Sequence, residues 1–124
     1  LDYGGGFASV RSILNRLDAD PYDGILIRFK GDGKRYQLRL RQGDRMDGVA
    51  YFRHFETKIG EWEEVFLPFH SFQASYRGRR LPDYRKLDTS RISQLGLMIS
   101  DKQEGNFRLE VQRIALYLNE HFQT

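Results

Sequence analysis

The sequence predicts an all-β protein built as an antiparallel β-sandwich. Eight segments have the length and apolar content of strands, and clusters of glycine, aspartate and proline separate them. No segment repeats its apolar residues at the helical spacing of 3.6. Eight strands and little helix in 124 residues are typical of one sandwich domain, which we place at residues 1–124.

Composition restricts the chemistry that the chain can perform. It has no cysteine, which excludes disulfides, thiolate nucleophiles, cysteine-ligated zinc and iron–sulfur clusters. It also has no secretory signal and no apolar span of 18 residues, so we expect no insertion into a membrane. Because the first residues lack a methionine and lead directly into strand-like sequence, we expect that something upstream has been removed.

The charge is unevenly distributed along the chain. The net charge is +3, but residues 28–45 carry +5 and residues 76–86 carry +4, which leaves −6 for the remainder. Two basic regions on an otherwise acidic chain can attract anionic partners whatever the total charge.

The segment Ile25–Arg41, ILIRFKGDGKRYQLRLR, predicts a β-hairpin. With Asp32 and Gly33 in a type I′ turn, Ile27 lies opposite Leu38 on an apolar face. Phe29 opposite Tyr36 and Ile25 opposite Leu40 complete that face. The other face is cationic, with Arg28 and Lys30 beside the arginines of the second strand.

The other strands follow in order along the chain. FASVRSI predicts a strand at Phe7–Ile13, and VAYFRHF predicts one at Val49–Phe55 with apolar residues on both faces. A further strand covers Glu61–Leu67 and ends at Pro68. The nearly continuous apolar run Gln94–Ser100 is typical of a central strand.

The apolar alternation of the C-terminal strand changes phase between Val111 and Ile114. A bulge at Gln112 and Arg113 produces such a shift, and it can also pass a strand from one sheet to the other.

The connection from Pro68 to Ile92 shows no strand pattern. Long connections in compact domains often carry function, so we expect a site here. Phe69, Phe72 and Tyr76 are expected to pack its first half against the core, and Asp88 is expected to cap one helical turn.

The order of several segments resembles the complex I intermediate-associated protein 30 family. These segments are GGFASVRS, GDGKRYQLRLR, DGVAYFRHFET, GEWEEVFLPFHSF, YRGRRLPD and LDTSRISQLGLMISDKQEGNFRLEV. Together they span Gly5 to about Tyr117, and we expect the chain to be a bacterial member of the family. The family pattern normally begins before GGFASV with a strand that contains aspartate and tryptophan, so the resemblance implies that one or more N-terminal strands are missing.

The resemblance implies an all-β, jelly-roll-like antiparallel sandwich of the galactose-binding-domain type and a role as an assembly factor, without catalytic residues or a cofactor. Mitochondrial members help to build respiratory complex I, and plant relatives act in chloroplast photosystem biogenesis, including on messenger RNA. We therefore expect the protein to be located in the cytoplasm if it is bacterial, and in the mitochondrial matrix or the chloroplast if it is eukaryotic. The expected partner is a protein client such as a subunit of a membrane complex.

The basic loop in the long connection is the first candidate site. It contains Arg77, Arg79, Arg80, Arg85 and Lys86. Arginine suits carboxylate or phosphate, and Tyr76 and Tyr84 can stack on exposed bases. The alternative is that these cations pair with Asp83 and Asp88 and hold the loop against the sandwich.

The arginine face of the predicted hairpin, Arg35, Arg39 and Arg41, can extend the same surface. Glu61 and Glu63, or Glu110, on a neighbouring strand would instead neutralise it, and we favour that interpretation.

Metal and sugar sites are weaker candidates. His54 and Glu56 lie on one face of a strand but lack a third ligand, and Asp44 and Asp47 are too few for calcium. Trp62 can act as a sugar platform, as can Tyr51, although a lone tryptophan in a sandwich is more often core.

No catalytic arrangement is visible in the sequence, since Ser71 and His70 are adjacent and point apart on an extended chain. Three functions remain: a protein-binding assembly module, an RNA-binding module using the same arginines, and a carbohydrate-binding sandwich.

Overall fold

The computed structural model describes residues 2–4, 9–43, 48–100 and 107–118, and of residues 2–4 and 9–17 it describes the main chain alone. The calcium candidates Asp44 and Asp47 lie outside these ranges.

Ten strands are formed by the described residues, together with two single 3₁₀ turns at Phe69–Ser71 and Thr89–Arg91. The strands are β1 (Asp2–Gly4), β2 (Ser9–Leu17), β3 (Gly24–Lys30), β4 (Arg35–Gln42), β5 (Val49–Glu56), β6 (Trp62–Pro68), β7 (Gln73–Tyr76), β8 (Arg79–Arg80), β9 (Ile92–Ile99) and β10 (Arg108–Tyr117).

Two antiparallel sheets enclose the core, as predicted. One sheet has the strand order β1-β10-β3-β6, and the other has the order β2-β9-β4-β5-β7-β8. The inward-facing residues alternate with outward-facing ones along β3 and β4, as in a sandwich with one solvated face on each sheet. Phe29 of the first sheet and Phe55 of the second meet across the core with ring centroids 5.0 Å apart.

The predicted hairpin between β3 and β4 is wrong. β3 pairs with β10 and β6, whereas β4 pairs with β5 and β9, so the two strands belong to opposite sheets. The predicted faces are correct, because Ile27 and Leu38 are both fully buried. They point at the same core from opposite sheets, and alternation within one strand does not distinguish this arrangement from a hairpin.

The connection between β3 and β4 is a corner between sheets. Gly33 has a φ of +88°, but Asp32 lacks the positive φ that a type I′ turn requires. The hydroxyl of Thr57 accepts a hydrogen bond from the amide of Gly33 over 3.0 Å and donates one to the carbonyl of Lys34 over 2.7 Å. Thr57 therefore holds the chain as it crosses from one sheet to the other.

The predicted bulge in β10 is confirmed by a register shift between Val111 and Arg113. The predicted change of sheet is wrong, because Val111 pairs with Phe29 before the shift and Ile114 pairs with Ile27 after it. The bulge restores the inward direction of the apolar residues within one sheet.

The connection after β6 is more ordered than the sequence indicates, because β7 and β8 form a hairpin within it. Strands of four and two residues are too short for alternation to reveal them. Phe69 and Phe72 are buried as expected, whereas Tyr76 is 37% exposed. The predicted cap is confirmed, since Asp88 accepts a hydrogen bond from the amide of Ser90 over 3.1 Å.

No helix within the described ranges has both the length and the apolar character needed to cross a membrane.

Candidate functional site

The basic loop projects from the edge of the six-stranded sheet on a tight turn. Tyr76 pairs with Arg79, so Arg77 and Gly78 form a two-residue hairpin loop. Their φ angles are +49° and +80°, and positive φ at both central residues is the requirement of a type I′ turn. The turn therefore fixes the direction in which the flanking arginines leave the sheet.

The five cations of the basic loop are all exposed to solvent: Arg77, Arg79, Arg80, Arg85 and Lys86. Within the described residues, no ion pair joins Asp83 or Asp88, the carboxylates of the alternative interpretation, to these cations. Asp88 instead accepts hydrogen bonds from Ser90. The basic loop thus presents uncompensated positive charge, which favours an anionic partner.

The two exposed tyrosines of this region are each covered by an arginine of the same chain. The guanidinium carbon of Arg77 lies 5.3 Å from the ring centroid of Tyr76, and that of Arg85 lies 5.7 Å from the centroid of Tyr84. An added Cβ at Gly48 would overlap the Tyr76 ring, so this ring also lies against the main chain. Both rings therefore orient guanidinium groups by cation–π contact.

A groove of about 300 Å³ opens beside the hairpin. Its floor includes Tyr51, Phe72 and Leu81, and its rim includes Arg80 and Arg85. Gln73, Ala74, Pro82, Tyr84 and Lys86 complete the lining. An apolar floor with a few charged groups at the rim is the usual composition of a ligand pocket.

Hydrogen bonds to the main chain hold the groove in shape. The buried hydroxyl of Tyr51 donates to the carbonyl of Arg85 over 2.9 Å, and the amide of Leu81 donates to the carbonyl of Ala74 over 2.9 Å. Beyond the groove, the amide of Asp88 donates to the side chain of Gln42 over 2.6 Å. The segment that carries the cations is thus fastened to β7, β5 and β4.

The predicted arginine face is divided between the sheets. Arg28 and Lys30 lie in the four-stranded sheet, whereas Arg35, Arg39 and Arg41 lie in the six-stranded sheet, so the two groups do not form one surface. Arg39 donates to the side-chain oxygen of Gln37 over 2.7 Å, and Arg41 donates to the carbonyl of Val49 over 3.4 Å.

The predicted neutralisation by neighbouring glutamates holds for Lys30, which lies 3.9 Å from Glu110. Glu63 does not take part, because it accepts a hydrogen bond from the amide of Lys58.

Trp62, the candidate sugar platform, does not have the core position that is usual for a lone tryptophan in a sandwich, because its side chain is 44% exposed at the edge strand β6. The guanidinium carbon of Arg28 lies 5.4 Å from the ring centroid, and the ammonium of Lys30 lies 6.0 Å from it. Cations of β3 therefore already contact the ring.

The described residues contain no group of three or more histidines, aspartates or glutamates that could hold a metal. The ring nitrogen Nδ1 of His54 lies 2.8 Å from the hydroxyl of Ser100, which is fully buried. Ser71 donates to the carbonyl of Pro68 over 2.6 Å, so its hydroxyl supports the 3₁₀ turn.

Tyr36 and Asp88 have displaced pKa values, and both belong to the framework. Burial raises the pKa of Tyr36, and the hydrogen bond that it donates to Asp32 over 3.0 Å acts in the same direction. Hydrogen bonds from the hydroxyl and amide of Ser90 lower the pKa of Asp88.

Solved structures of other proteins share this fold. The family 11 carbohydrate-binding module of a cellulosomal cellulase of Clostridium thermocellum matches with a TM-score of 0.67 and 15% identity, over 97% of this chain and 89% of that one. The module from the same organism in complex with a β-1,3-1,4-mixed-linked tetrasaccharide matches with a TM-score of 0.64 and 15% identity, over 94% and 88% of the two chains. This likeness shows that the chain has the antiparallel β-sandwich fold of these modules.

Residues 1–111 match the complex I intermediate-associated protein 30 family, and the chain belongs to that family. The mitochondrial complex I intermediate-associated protein 30 of Mus musculus is 29% identical over 104 residues, which are 81% of this chain and 32% of that protein. The probable mitochondrial protein of the same name from Caenorhabditis elegans is 28% identical over 97 residues, or 75% of this chain and 28% of its own length. This chain thus spans about a third of the length of these relatives.

The sequence indicated the cations of the candidate site but did not indicate the apolar residues that line the groove beside them. Leu81 is a single apolar residue between the cations of the basic loop, and Phe72 precedes β7 by one residue, so neither stands out as part of a binding site. The groove arises because the loop after β8 folds back over β5, a contact that local sequence does not encode.

Proposed function

We propose that this domain is a non-catalytic protein-binding module that associates with an assembly intermediate of respiratory complex I. The observation that carries the proposal is the family match over residues 1–111. Relatives from a mammal and a nematode are named for association with a complex I intermediate and are mitochondrial. The same relationship favours the mitochondrial matrix as the site of action.

We propose further that the client contacts the basic loop and the adjoining groove. Arg77, Arg79 and Arg80 are exposed on the β7–β8 hairpin, Arg85 and Lys86 are exposed on the segment that follows it, and the groove beside them has an apolar floor. Arginine and tyrosine are the residue types most often found at energetically important positions of protein interfaces. The arginines of β4 are less suitable, because Arg39 and Arg41 already donate hydrogen bonds within the chain.

Affinity capture tests the proposal. The domain is immobilised and exposed to a lysate of the source organism, with and without nuclease, and retained proteins are identified by mass spectrometry. Retention of complex I subunits after nuclease treatment supports a protein client. Loss of all retention with nuclease would overturn it in favour of RNA, whose binding to single strands should also weaken with salt at a log–log slope of about −0.7 per phosphate.

A further inference from the structure

The groove beside the hairpin combines three features that define the chemistry of its occupant: positive charge at the rim, an apolar floor and limited size. Arg80, Arg85 and Lys86 line it, and the described part of the chain supplies no carboxylate that pairs with them. The occupant therefore carries negative charge.

The floor indicates that charge is not the whole requirement. Tyr51 and Phe72 are buried lining residues, whereas Leu81 is half-buried and Pro82 is exposed, so Leu81 and Pro82 present the accessible apolar surface of the groove. A purely ionic ligand would leave this apolar surface in contact with water, whereas an apolar side chain would cover it. The volume of about 300 Å³ lies at the small end of ligand pockets, which suits one or two side chains.

The geometry of the tyrosines favours a carboxylate over a nucleic-acid base. Base recognition needs free aromatic faces, but Arg77 lies over Tyr76 and Arg85 lies over Tyr84. An arginine held on a ring keeps its fork of N–H donors directed outward, and this fork matches the two oxygens of a carboxylate.

We propose that the groove binds a short acidic peptide segment of the client, in which carboxylates contact Arg80 and Arg85 and one bulky apolar side chain covers Leu81 and Pro82. This inference rests on the proposed function for the existence of a client and adds the chemistry by which the client is recognised. It predicts that a disordered or extended acidic segment with a single aromatic or aliphatic anchor is sufficient for binding.

Fluorescence polarisation with labelled peptides tests this on the full chain. The probe has four glutamates around one central phenylalanine, and two matched peptides replace either the glutamates by glutamine or the phenylalanine by alanine. We expect each replacement to weaken binding about tenfold or more, because each removes one of the two kinds of contact. Equal binding of the glutamine peptide would overturn the proposal, as would equal binding of the alanine peptide.

Variants of the protein locate the binding. Arg80→Ala and Arg85→Ala should each weaken binding of the glutamate–phenylalanine peptide about tenfold. Arg108→Ala is the matched control, because Arg108 is exposed in the other sheet and pairs with Glu110 at 3.2 Å. An equal loss in the Arg108→Ala protein would show non-specific attraction and overturn the assignment to the groove.

The outcome separates this inference from the proposed function. If the domain retains complex I subunits but fails to bind the peptide, the peptide inference fails and the assembly role stands. If the domain binds the peptide at the groove but retains no complex I subunit, the groove chemistry stands and the assembly role fails.

Discussion

The buried hydroxyl of Tyr51 donates a hydrogen bond to the main-chain carbonyl of Arg85 over 2.9 Å. Tyr51 lies in β5 within the six-stranded sheet, and Arg85 belongs to the segment that carries the basic loop. This bond connects the rigid core of the sandwich to the surface that we assign to binding, so the position of a rim cation depends on a core side chain.

Replacing Tyr51 by phenylalanine tests that connection. Loss of one intramolecular hydrogen bond should lower the free energy of unfolding by about 0.5–1.5 kcal/mol, and it should also weaken binding of the acidic peptide because Arg85 loses its anchor. Urea denaturation and peptide titration of the same protein measure the two effects. Unchanged peptide affinity in a destabilised protein would show that the anchor serves stability alone.

Pairs of introduced cysteines test the strand pairing. Because the sequence has no natural cysteine, the introduced thiols have no other thiol in the chain to pair with. Arg28 pairs with Glu64 in the structure, whereas a β3–β4 hairpin would place it opposite Gln37. The double variant Arg28→Cys, Glu64→Cys should therefore form an intramolecular disulfide, since paired residues fall within the required separation of about 4.4–6.8 Å between Cα atoms.

The double variant Arg28→Cys, Gln37→Cys is the matched control. Its cysteines would lie in opposite sheets, so the folded monomer should keep two free thiols in a thiol assay. A rapid intramolecular disulfide in this control would indicate that β3 and β4 pair as a hairpin, which would contradict the observed topology.

Substitutions in the turn at Arg77 and Gly78 should change stability through backbone strain. Gly78 has a φ of +80° and open space where a Cβ would lie, so Gly78→Ala should destabilise the domain by about 1 kcal/mol through backbone conformation alone. Arg77→Asn should leave stability unchanged or raise it, because Asn-Gly is a preferred type I′ sequence. Thermal unfolding of both variants measures this, and a neutral Gly78→Ala would argue against the turn.

Tyr36 should make stability depend on alkaline pH. Its folded pKa is raised above the unfolded value of about 10. The folded state therefore holds the phenol proton more tightly, and the stability that this contributes is present below pH 10 and lost as pH rises above it. The free energy of unfolding of the natural protein should fall toward that of Tyr36→Phe as pH rises above about 10, and parallel profiles would contradict the effect.

Local sequence was sufficient for the faces of the strands but not for their partners. Ile27 and Leu38 were predicted to be buried because alternation is a property of one strand, whereas pairing depends on which distant strands occupy its edges. β10 and β6 occupy both edges of β3, and their sequence separation from it is large. The bulge at Gln112 was predictable, because a phase change in alternation has few other causes.

The site was partly predictable for a related reason. The cations were visible as a dense basic run, Tyr-Arg-Gly-Arg-Arg, in a long connection. The arginines of β4 were visible in the same way, but their hydrogen bonds to Gln37 and Val49 were not. The sequence left open whether Trp62 is a platform or core, because residue type indicates burial only on average, and its exposed place on an edge strand is set by the fold.

The most direct test of the central claim is capture of complex I subunits by the natural domain and by the triple variant Arg77→Ala, Arg79→Ala, Arg80→Ala. These side chains are exposed, so stability should change by less than about 0.5 kcal/mol per site, which urea denaturation verifies. We predict that the natural domain and an Arg108→Ala control retain the subunits after nuclease treatment and that the folded triple variant does not. Equal retention by the folded triple variant would contradict docking through the basic loop.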